Sequence, residues 1–230
     1  MSFLDELGML FVLATIALGV SVAALGGFAL VTGRRHWVPR LLIVGVGWVV
    51  LYGATLAAAS VTSAPRVLEP GTRMAFCGVY FDCHVGVEIT QVRQAIALGA
   101  GANRVTPEGV FTIVTLRYSS DALRATLGLE EPDAVLLAND KDHLARSGAG
   151  ERALNGTSGL FGRSLAPGES YAVDIVYDVP TGATNLRLHV RPSNAFERFS
   201  ELFLIGDPES LFHASTTLRL PPPTPVRPPA

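Results

Sequence analysis

Two long apolar runs near the N-terminus constrain this chain more than any other feature. The first, residues 8–31, has 24 residues without a charged side chain, and the second, residues 41–61, has 21. As a helix the first run extends about 36 Å, which exceeds the roughly 30 Å hydrocarbon core of a bilayer. Both runs are therefore predicted to be transmembrane helices rather than helices buried in a soluble core.

The loop between the runs, residues 32–40, carries Arg34, Arg35 and Arg40. Arginines close to the ends of membrane helices stay on the cytoplasmic side. A loop this short also forces the two helices into an antiparallel hairpin. We therefore expect the loop to be cytoplasmic and both ends of the chain to lie outside the cytoplasm.

The segment before the first run supports retention of the helices. Residues 1–7 contain Asp5 and Glu6 and no basic residue, so they lack the basic region of a cleavable signal peptide. The predicted location is an integral protein of the plasma (inner) membrane, with the bilayer as one partner and residues 1–7 as a short extracytoplasmic N-terminus.

Small residues recur every four positions on both predicted helices. Such spacing lets helix backbones approach each other closely. We expect it to serve packing within the hairpin, and association with another helix is the alternative. The residues concerned are Thr15, Gly19, Ala23 and Gly27 on the first run, and Gly53 and Ala57 on the second.

The remainder of the chain has the pattern of β structure. After a Pro- and Gly-containing linker, residues 62–73, apolar and polar residues alternate with a period of two, as at 171–179, where Asp174 and Asp178 lie between apolar neighbours. Several short runs of this kind, separated by turn residues, predict an all-β domain with antiparallel strands, a sandwich or barrel, over residues 74–220.

Two stretches of the outer part do not follow this pattern. The structure of residues 193–214 stays open, and within this stretch residues 197–212 fit either a helix or a strand followed by a loop. The tail, residues 221–230, contains six prolines, so it is predicted to be an extended and solvated segment without a packed core.

Several short motifs occur in order along the β region. They are "G-x-F" at Gly109 and Phe111, "L-x-P-G-E" at 165–169, and "Y-D-V-P" at 177–180, followed at once by "L-x-L". Over roughly residues 80–192 the chain resembles the telokin-like, immunoglobulin-type domains of uncharacterised bacterial membrane and surface proteins. The resemblance implies an immunoglobulin-like β-sandwich and brings no catalytic residues. The chain departs from that family in its two-helix anchor, where many relatives have a lipoprotein-type signal, and in the additional residues 193–220.

The stretch "AFCGVYFDCHVGVEI", residues 75–89, contains both cysteines of the chain. Its odd-numbered residues from Cys77 to Ile89 are apolar, which predicts a strand with the cysteines on the buried face. Along an unbroken strand Cys77 and Cys83 would lie about 20 Å apart, whereas a disulfide needs Cα atoms within about 7 Å. The chain therefore either turns between them, with Gly78 as the pivot, or keeps the two thiols apart.

The predicted compartment favours a Cys77–Cys83 disulfide, because thiols outside the cytoplasm tend to be oxidised. Two alternatives stay open. One is a pair of buried thiols, and the other is a copper, zinc or redox site formed by Cys77, Cys83 and His84, since thiolate and imidazole suit these metals. The other histidines of the outer part are scattered, so we expect no cofactor.

The remaining motifs indicate no enzyme. The sequence contains no P-loop, no "HExxH" and no nucleophile elbow, and its net charge of −2 gives no footprint for nucleic-acid binding. The predicted function is a non-enzymatic interaction or accessory module of the cell envelope, with another envelope or membrane protein as partner. The alternatives are a metal-binding or redox protein and a structural subunit of a membrane complex.

Overall fold

The structure is a computed structural model that describes residues 3–76, 84–128, 133–139, 142–156, 163–191, 193, 195–205 and 210–225. The chain forms two compact units. The first combines Met1–Ala64 with Phe199–Ser215, and the second combines Pro65–Arg198 with Thr216–Ala230.

Two long helices dominate the first unit. Helix α1 is Phe3–Val31 and helix α2 is Val38–Val61, with a short 3-10 helix, Arg35–Trp37, between them. Pro39 lies in the first turn of α2, where a helix makes no use of its missing N–H. Both helices are long and apolar enough to cross a membrane by length and composition.

The surface of these helices is apolar on all sides. Large side chains such as Val20, Ile43 and Val49 are 65%, 71% and 67% exposed. A helix that is apolar all round belongs in an apolar environment, because each exposed aliphatic side chain costs about 1.5–3 kcal/mol in water relative to burial.

One hydrogen bond joins the two helices near their middle. The indole Nε1 of Trp48 donates to Thr15 Oγ1 at 2.9 Å, and Thr15 Oγ1 donates to the carbonyl of Phe11 at 2.7 Å. The rings of Phe11 and Trp48 stack with centroids 5.9 Å apart. The indole N–H, which would be costly without a partner in apolar surroundings, is thereby paired.

The glycines of the hairpin do not bring the helices together. A Cβ atom added at Gly19, Gly27 or Gly53 would meet no atom within 4 Å. The expected role of the small-residue pattern in packing within the hairpin is therefore wrong for these glycines. Contact between α1 and α2 depends instead on larger side chains such as Phe11 and Trp48.

The second unit contains two five-stranded sheets. The first sheet, in order of pairing, is β1 (Arg66–Leu68), β11 (Thr216–Arg219), β10 (Arg187–Arg191), β6 (Asp133–Ala138) and β7 (Asp142–Leu144). The second is β12 (Thr224–Pro225), β3 (Val85–Ala95), β4 (Val110–Ser120) and β9 (Ser170–Val179), with β2 (Met74–Phe76) also beside β3. Two short strands, β5 (Leu127–Gly128) and β8 (Ser164–Leu165), pair with each other.

Two strand pairs differ from the predicted antiparallel arrangement. Strands β1 and β11 are parallel, and so are β12 and β3. Strand β1 lies in the predicted linker and β12 in the predicted solvated tail, so both segments belong partly to the sheets. Their three- and two-residue lengths explain why the period-two pattern did not identify them.

The inner faces of the two sheets share one hydrophobic core. The alternation in β9 is confirmed, since Val173, Ile175, Tyr177 and Val179 are buried. The second sheet also contributes Val87, Ile89, Val92, Val114, Leu116 and Tyr118, and the first contributes Ala134, Leu136, Leu188, Val190 and Leu218. The β-sandwich architecture therefore follows from burial as well as from strand pairing.

A second, smaller core lies on the outer face of the second sheet. Phe111, Ile113 and Val176 pack there under helix α3 (Gly148–Asn155). Gly150 permits this contact, because a Cβ atom at that position would lie 2.7 Å from Val176 Cγ1. The N–H of Ser147 donates to the carbonyl of Val176 at 2.7 Å, which occupies part of the free edge of β9.

The segment that the sequence left open begins with helix α4, Ala195–Glu201, and continues in turns. Phe199–Ser215 belongs to the helical unit, not to the sandwich. The predicted β domain, residues 74–220, is therefore interrupted by a segment that packs elsewhere.

Tyr177 supplies a test of the core. Its hydroxyl donates to the carbonyl of Ala134 on the facing sheet at 3.0 Å, and burial raises the pKa of this hydroxyl above its ordinary value of 10.0. Because the pKa is raised in the folded state, the contribution of this hydroxyl to stability is fully present below pH 10. Above pH 10 the Tyr177 hydroxyl ionises in the unfolded state first, so the free energy of unfolding falls by about 1.4 kcal/mol per pH unit.

Tyr177→Phe should destabilise the sandwich by about 1 kcal/mol at neutral pH and reduce its loss of stability above pH 10. Urea unfolding of the full-length protein in detergent, followed by pulse proteolysis at pH 8 to 11, measures both effects. An identical alkaline slope in the wild type and the variant would contradict the assignment.

Candidate functional site

The cysteines lie outside the described residues, but the strands on either side of them are described. Strands β2 and β3 are antiparallel partners, with Phe76 opposite Val85 and Met74 opposite Val87. Residues 77–83, which join these two strands, lie outside the described residues, so the predicted strand through Cys77 and Cys83 stays a prediction. The Cys77–Cys83 disulfide likewise stays a prediction.

His84, the third residue of the predicted metal site, lies at the start of β3 in a polar cluster. Its Nδ1 is 2.8 Å from Oδ1 of Asp121, and Oδ2 of Asp121 is 3.2 Å from Nη1 of Arg73. Arg73 Nη2 and the backbone N–H of Asp121 each donate to the carbonyl of His84 at 2.9 Å. We call this arrangement the Arg73–His84–Asp121 cluster.

A glycine creates the space that the cluster needs. Gly86 lies opposite Ser119 in the β3–β4 pair, and the side chain of Arg73 crosses over it. A Cβ atom at Gly86 would lie 2.1 Å from Arg73 Nε. The same Nε donates to Ser119 Oγ at 3.4 Å. The absence of a side chain at residue 86 thus lets Arg73 extend across the outer face of the sheet to Asp121.

The cluster is open to solvent, which limits its contribution to stability. The side chains of His84 and Asp121 are 51% and 59% exposed, and exposed ion pairs contribute about 0–1 kcal/mol. Its chemical effect is on orientation. A carboxylate paired with one imidazole nitrogen fixes the orientation of the ring, as in the outer shell of many metal sites.

The described residues do not complete a metal site. Within the part of the chain that the structure describes, no three His, Cys, Asp or Glu side chains are grouped so that they could hold a metal ion. His84 supplies one nitrogen, and the other two predicted ligands, Cys77 and Cys83, lie outside the described residues. Sequence reasoning missed Arg73 and Asp121 because residues 11 and 37 positions away from His84 form no recognisable spacing.

Charged residues next to this cluster on the outer face of the second sheet are paired. Arg117 pairs with Glu88 directly across strands β4 and β3. Further along, the carboxylate of Asp174 accepts from Arg93 Nη2 and from Thr115 Oγ1, both at 2.5 Å. These pairs satisfy the charges of the sheet surface and position no nucleophile or acid–base group.

Apart from the Arg73–His84–Asp121 cluster, the sandwich has a cleft where the chain leaves β11 through residues 221–223. Arg187 and Arg219 are directly opposite each other on β10 and β11 beside it. Like charges in this arrangement repel, and Glu69, whose Oε1 is 3.0 Å from Arg219 Nη1, offsets part of the repulsion. The cleft has a volume of about 560 Å³, and its lining includes Val67, Val92, Asn185, Arg187, Arg219 and Pro222.

Comparison with known proteins gives likenesses of shape alone. No family model matches the chain, and no curated protein matches it. The yjhA protein from Bacillus subtilis is 12% identical with a TM-score of 0.43, over 67% of this chain and 99% of that one. An uncharacterized β-sandwich protein from Clostridium difficile is 9% identical with a TM-score of 0.39, over 69% and 96%.

A secreted protein from Mycobacterium tuberculosis, MPT63, is 14% identical with a TM-score of 0.41, over 59% of this chain and 95% of that one. Likenesses at these values carry no inference about this chain. The β-sandwich assignment therefore rests on the strand pairing and the shared core described above.

The predicted Cys77–Cys83 disulfide leads to a direct measurement on the cysteines. We expect the full-length protein, purified without reductant, to accept no alkylating groups before reduction and two after it, because extracytoplasmic thiols oxidise when they can meet. Intact mass measures the alkylation, and elemental analysis of the same sample should show no stoichiometric copper or zinc.

The opposite result would be two reactive thiols together with about one equivalent of metal. The matched variants His84→Ala and His189→Ala then identify the ligand, since only His84→Ala should release a metal held beside the Arg73–His84–Asp121 cluster. Such a result would replace the disulfide by a metal centre.

Proposed function

We propose that this protein is a membrane-anchored, extracytoplasmic immunoglobulin-like module that acts as a non-enzymatic interaction or accessory protein of the cell envelope. The observation that carries the proposal is the apolar surface of the α1–α2 hairpin, attached to a β-sandwich with its own core. A bilayer is the environment that removes such a surface from water.

The tip of the hairpin supports the proposed orientation. Arg34, Arg35 and Arg40 lie at or beside the short 3-10 helix that joins α1 to α2, and Trp37 in the same turn is 44% exposed. Arginine next to an amphipathic tryptophan is typical of a cytoplasmic membrane boundary. The rest of the chain, including the sandwich, then lies on the opposite side.

The surface of the sandwich supports a role in binding rather than catalysis. Its ion pairs join strands of the same sheet: Arg191 on β10 pairs with Asp133 on the neighbouring β6 at 2.7 Å, and Arg93 on β3 pairs across β4 with Asp174 on β9 at 2.5 Å. Residues paired in this way are engaged in holding the sheets. The loops and exposed faces of the sandwich remain as the surface on which a partner would bind.

Fusions of alkaline phosphatase or green fluorescent protein to the C-terminus test the topology. We expect an active phosphatase fusion and a dark fluorescent fusion for the wild type. Replacement of Arg34, Arg35 and Arg40 by Glu should reduce phosphatase activity several-fold, because the hairpin then loses its cytoplasmic anchor.

Three exposed arginines of the sandwich unit, Arg104, Arg124 and Arg152, give a charge-matched control when replaced by Glu. This control should leave the topology unchanged. A fluorescent and phosphatase-inactive wild type would refute the extracytoplasmic placement.

One observation favours a second function, that of a structural subunit in a membrane complex. Gly19 and Gly45 have open space where a side chain would be, and both line an apolar groove of about 360 Å³ between α1 and α2. Other residues of the groove include Leu18, Val22, Leu42 and Val49. A neighbouring helix packs closely against glycines that its own hairpin leaves uncovered.

Substitution of Gly19 or Gly45 by Leu should fill this groove without disturbing the hairpin. If the groove receives a helix, either variant should lose the crosslinked complex that the wild type forms in native membranes. Gly26→Leu, at an equally open position outside the groove, is the control. Equal crosslinking in all three variants would remove the support for this second function.

A further inference from the structure

We infer that residues 199–205 and 210–215 form an additional contact with the bilayer, in which a non-spanning segment lies along the last turns of α2 and inserts aromatic side chains into the outer leaflet. The inference rests on the proposed membrane anchor and extends it to a segment that lies between two strands of the sandwich, β10 and β11, in the sequence.

Three hydrogen bonds attach the segment to α2 and the residues just after it. Tyr52 Oη donates to the carbonyl of Phe203, Ser60 Oγ donates to the carbonyl of Leu211 at 2.6 Å, and the N–H of Ala214 donates to Ser63 Oγ at 2.8 Å. Each pair is separated by 151 residues. The contacts therefore follow the same order along both segments.

These bonds provide partners for two carbonyls and one N–H group of the segment, as irregular backbone near lipid requires. A carbonyl group without a partner in the hydrocarbon region is strongly unfavourable, so such backbone persists only where protein groups pair with it. Tyr52 and Ser60 are two of the few polar residues in this run, and both use their hydroxyls for this purpose, whereas the hydroxyl of Thr55 donates to the carbonyl of Leu51 within the helix. Their presence in a membrane helix is thereby explained.

The opposite side of the segment is apolar and exposed. Phe199, Phe203 and Phe212 are 60%, 44% and 80% exposed, whereas Leu204 and Ile205 are buried. The rings of Phe199 and Phe203 contact each other edge to face at 5.2 Å. Three exposed phenylalanines so close in sequence, on a segment attached to a membrane helix, are typical of insertion at a lipid interface.

Phe212 has an unusual backbone conformation that supports the same conclusion. Its φ is +64°, a region that bulky residues rarely adopt because of the strain. The neighbouring bonds hold it there, since the carbonyl of Leu211 and the N–H of Ala214 both pair with residues at the end of α2. The residue that carries this strain, Phe212, is 80% exposed, so the strained conformation holds an aromatic ring away from the rest of the protein.

The depth of the segment follows from the pairing of the two helices. Because Trp48 bonds to Thr15 and the helices are antiparallel, Asp5 and Glu6 of α1 are level with about residues 57–58 of α2. These acidic residues mark the outer boundary of the hydrocarbon. The contact at Tyr52 then lies about 8 Å below that boundary, at about 1.5 Å per residue, within the 5–10 Å typical of interfacial segments.

Spin labels on the full-length protein in lipid nanodiscs test the inference. In a background that carries Cys77→Ser and Cys83→Ser, single cysteines replace Phe212, Val49 and Leu123. Val49 is an exposed site on the hairpin, and Leu123, at 90% exposure, is an exposed site of the sandwich unit. Relaxation by oxygen reports contact with lipid, and relaxation by a water-soluble nickel chelate reports contact with water.

We expect the oxygen-to-nickel ratio at F212C to exceed that at L123C several-fold and to stay below the ratio at V49C, because Ser60, which pairs with Leu211, lies about 4 Å outside the same boundary. Water-like values at F212C with lipid-like values at V49C would overturn this inference and leave the anchor in place. Water-like values at V49C would overturn the anchor itself. Protection of F212C from both reagents would mean that protein covers the segment, and this too would refute insertion into lipid.

A second measurement retains both native cysteines. The photoreactive residue p-benzoyl-phenylalanine replaces Phe199 or Phe212 in the otherwise unchanged chain, and mass spectrometry identifies what it captures in native membranes. The same photoreactive residue at Leu123 is the control. Phospholipid adducts at residues 199 and 212, with none at residue 123, support the inference. Adducts with protein alone would refute it.

Discussion

Wherever this protein excludes water, its polar groups must find partners within the chain, and most of its distinctive contacts satisfy that requirement. In the sandwich core, the buried hydroxyl of Tyr177 pairs with the carbonyl of Ala134 and so connects the two sheets. In the hairpin, the indole of Trp48 pairs with Thr15. The same physical requirement thus operates in both units, although the apolar surroundings are side chains in one and, as we propose, lipid in the other.

The same requirement explains why two parts of the outer face of the second sheet differ, one being apolar and the other charged. Part of the outer face of the second sheet is covered by α3 and buries apolar residues such as Phe111 and Val176. The rest is exposed to solvent and carries ion pairs that end at the Arg73–His84–Asp121 cluster. His84 of this cluster directly follows Cys83 in the sequence, so a disulfide or a metal held by Cys83 would lie next to this imidazole along the chain.

Several features could be predicted from the sequence because they depend on local patterns. The alternation of β9 identified its buried face, and two uncharged runs identified the long helices. Other features could not, because they depend on pairing between distant residues. His84 and Asp121 are 37 residues apart, and no pattern in either neighbourhood indicates the other. Strands β1 and β12 are too short for a period to be visible. The glycines of the hairpin match a packing motif, but the two helices contact each other through larger side chains instead.

The sequence by itself therefore determined the apolar hairpin, the basic loop at its tip and the two-residue alternation of the long strands. Composition and period suffice for these, because burial acts on each segment separately. Only the tertiary structure decided which strands pair in parallel, that Arg73, His84 and Asp121 meet, and that residues 199–205 and 210–215 belong with α2 rather than with the sandwich. These outcomes depend on register between segments far apart in the chain, as with the 151 residues that separate Ser60 from Leu211. Distant segments align in the register that lets their polar groups pair at the same time. Only the folded chain as a whole determines that register.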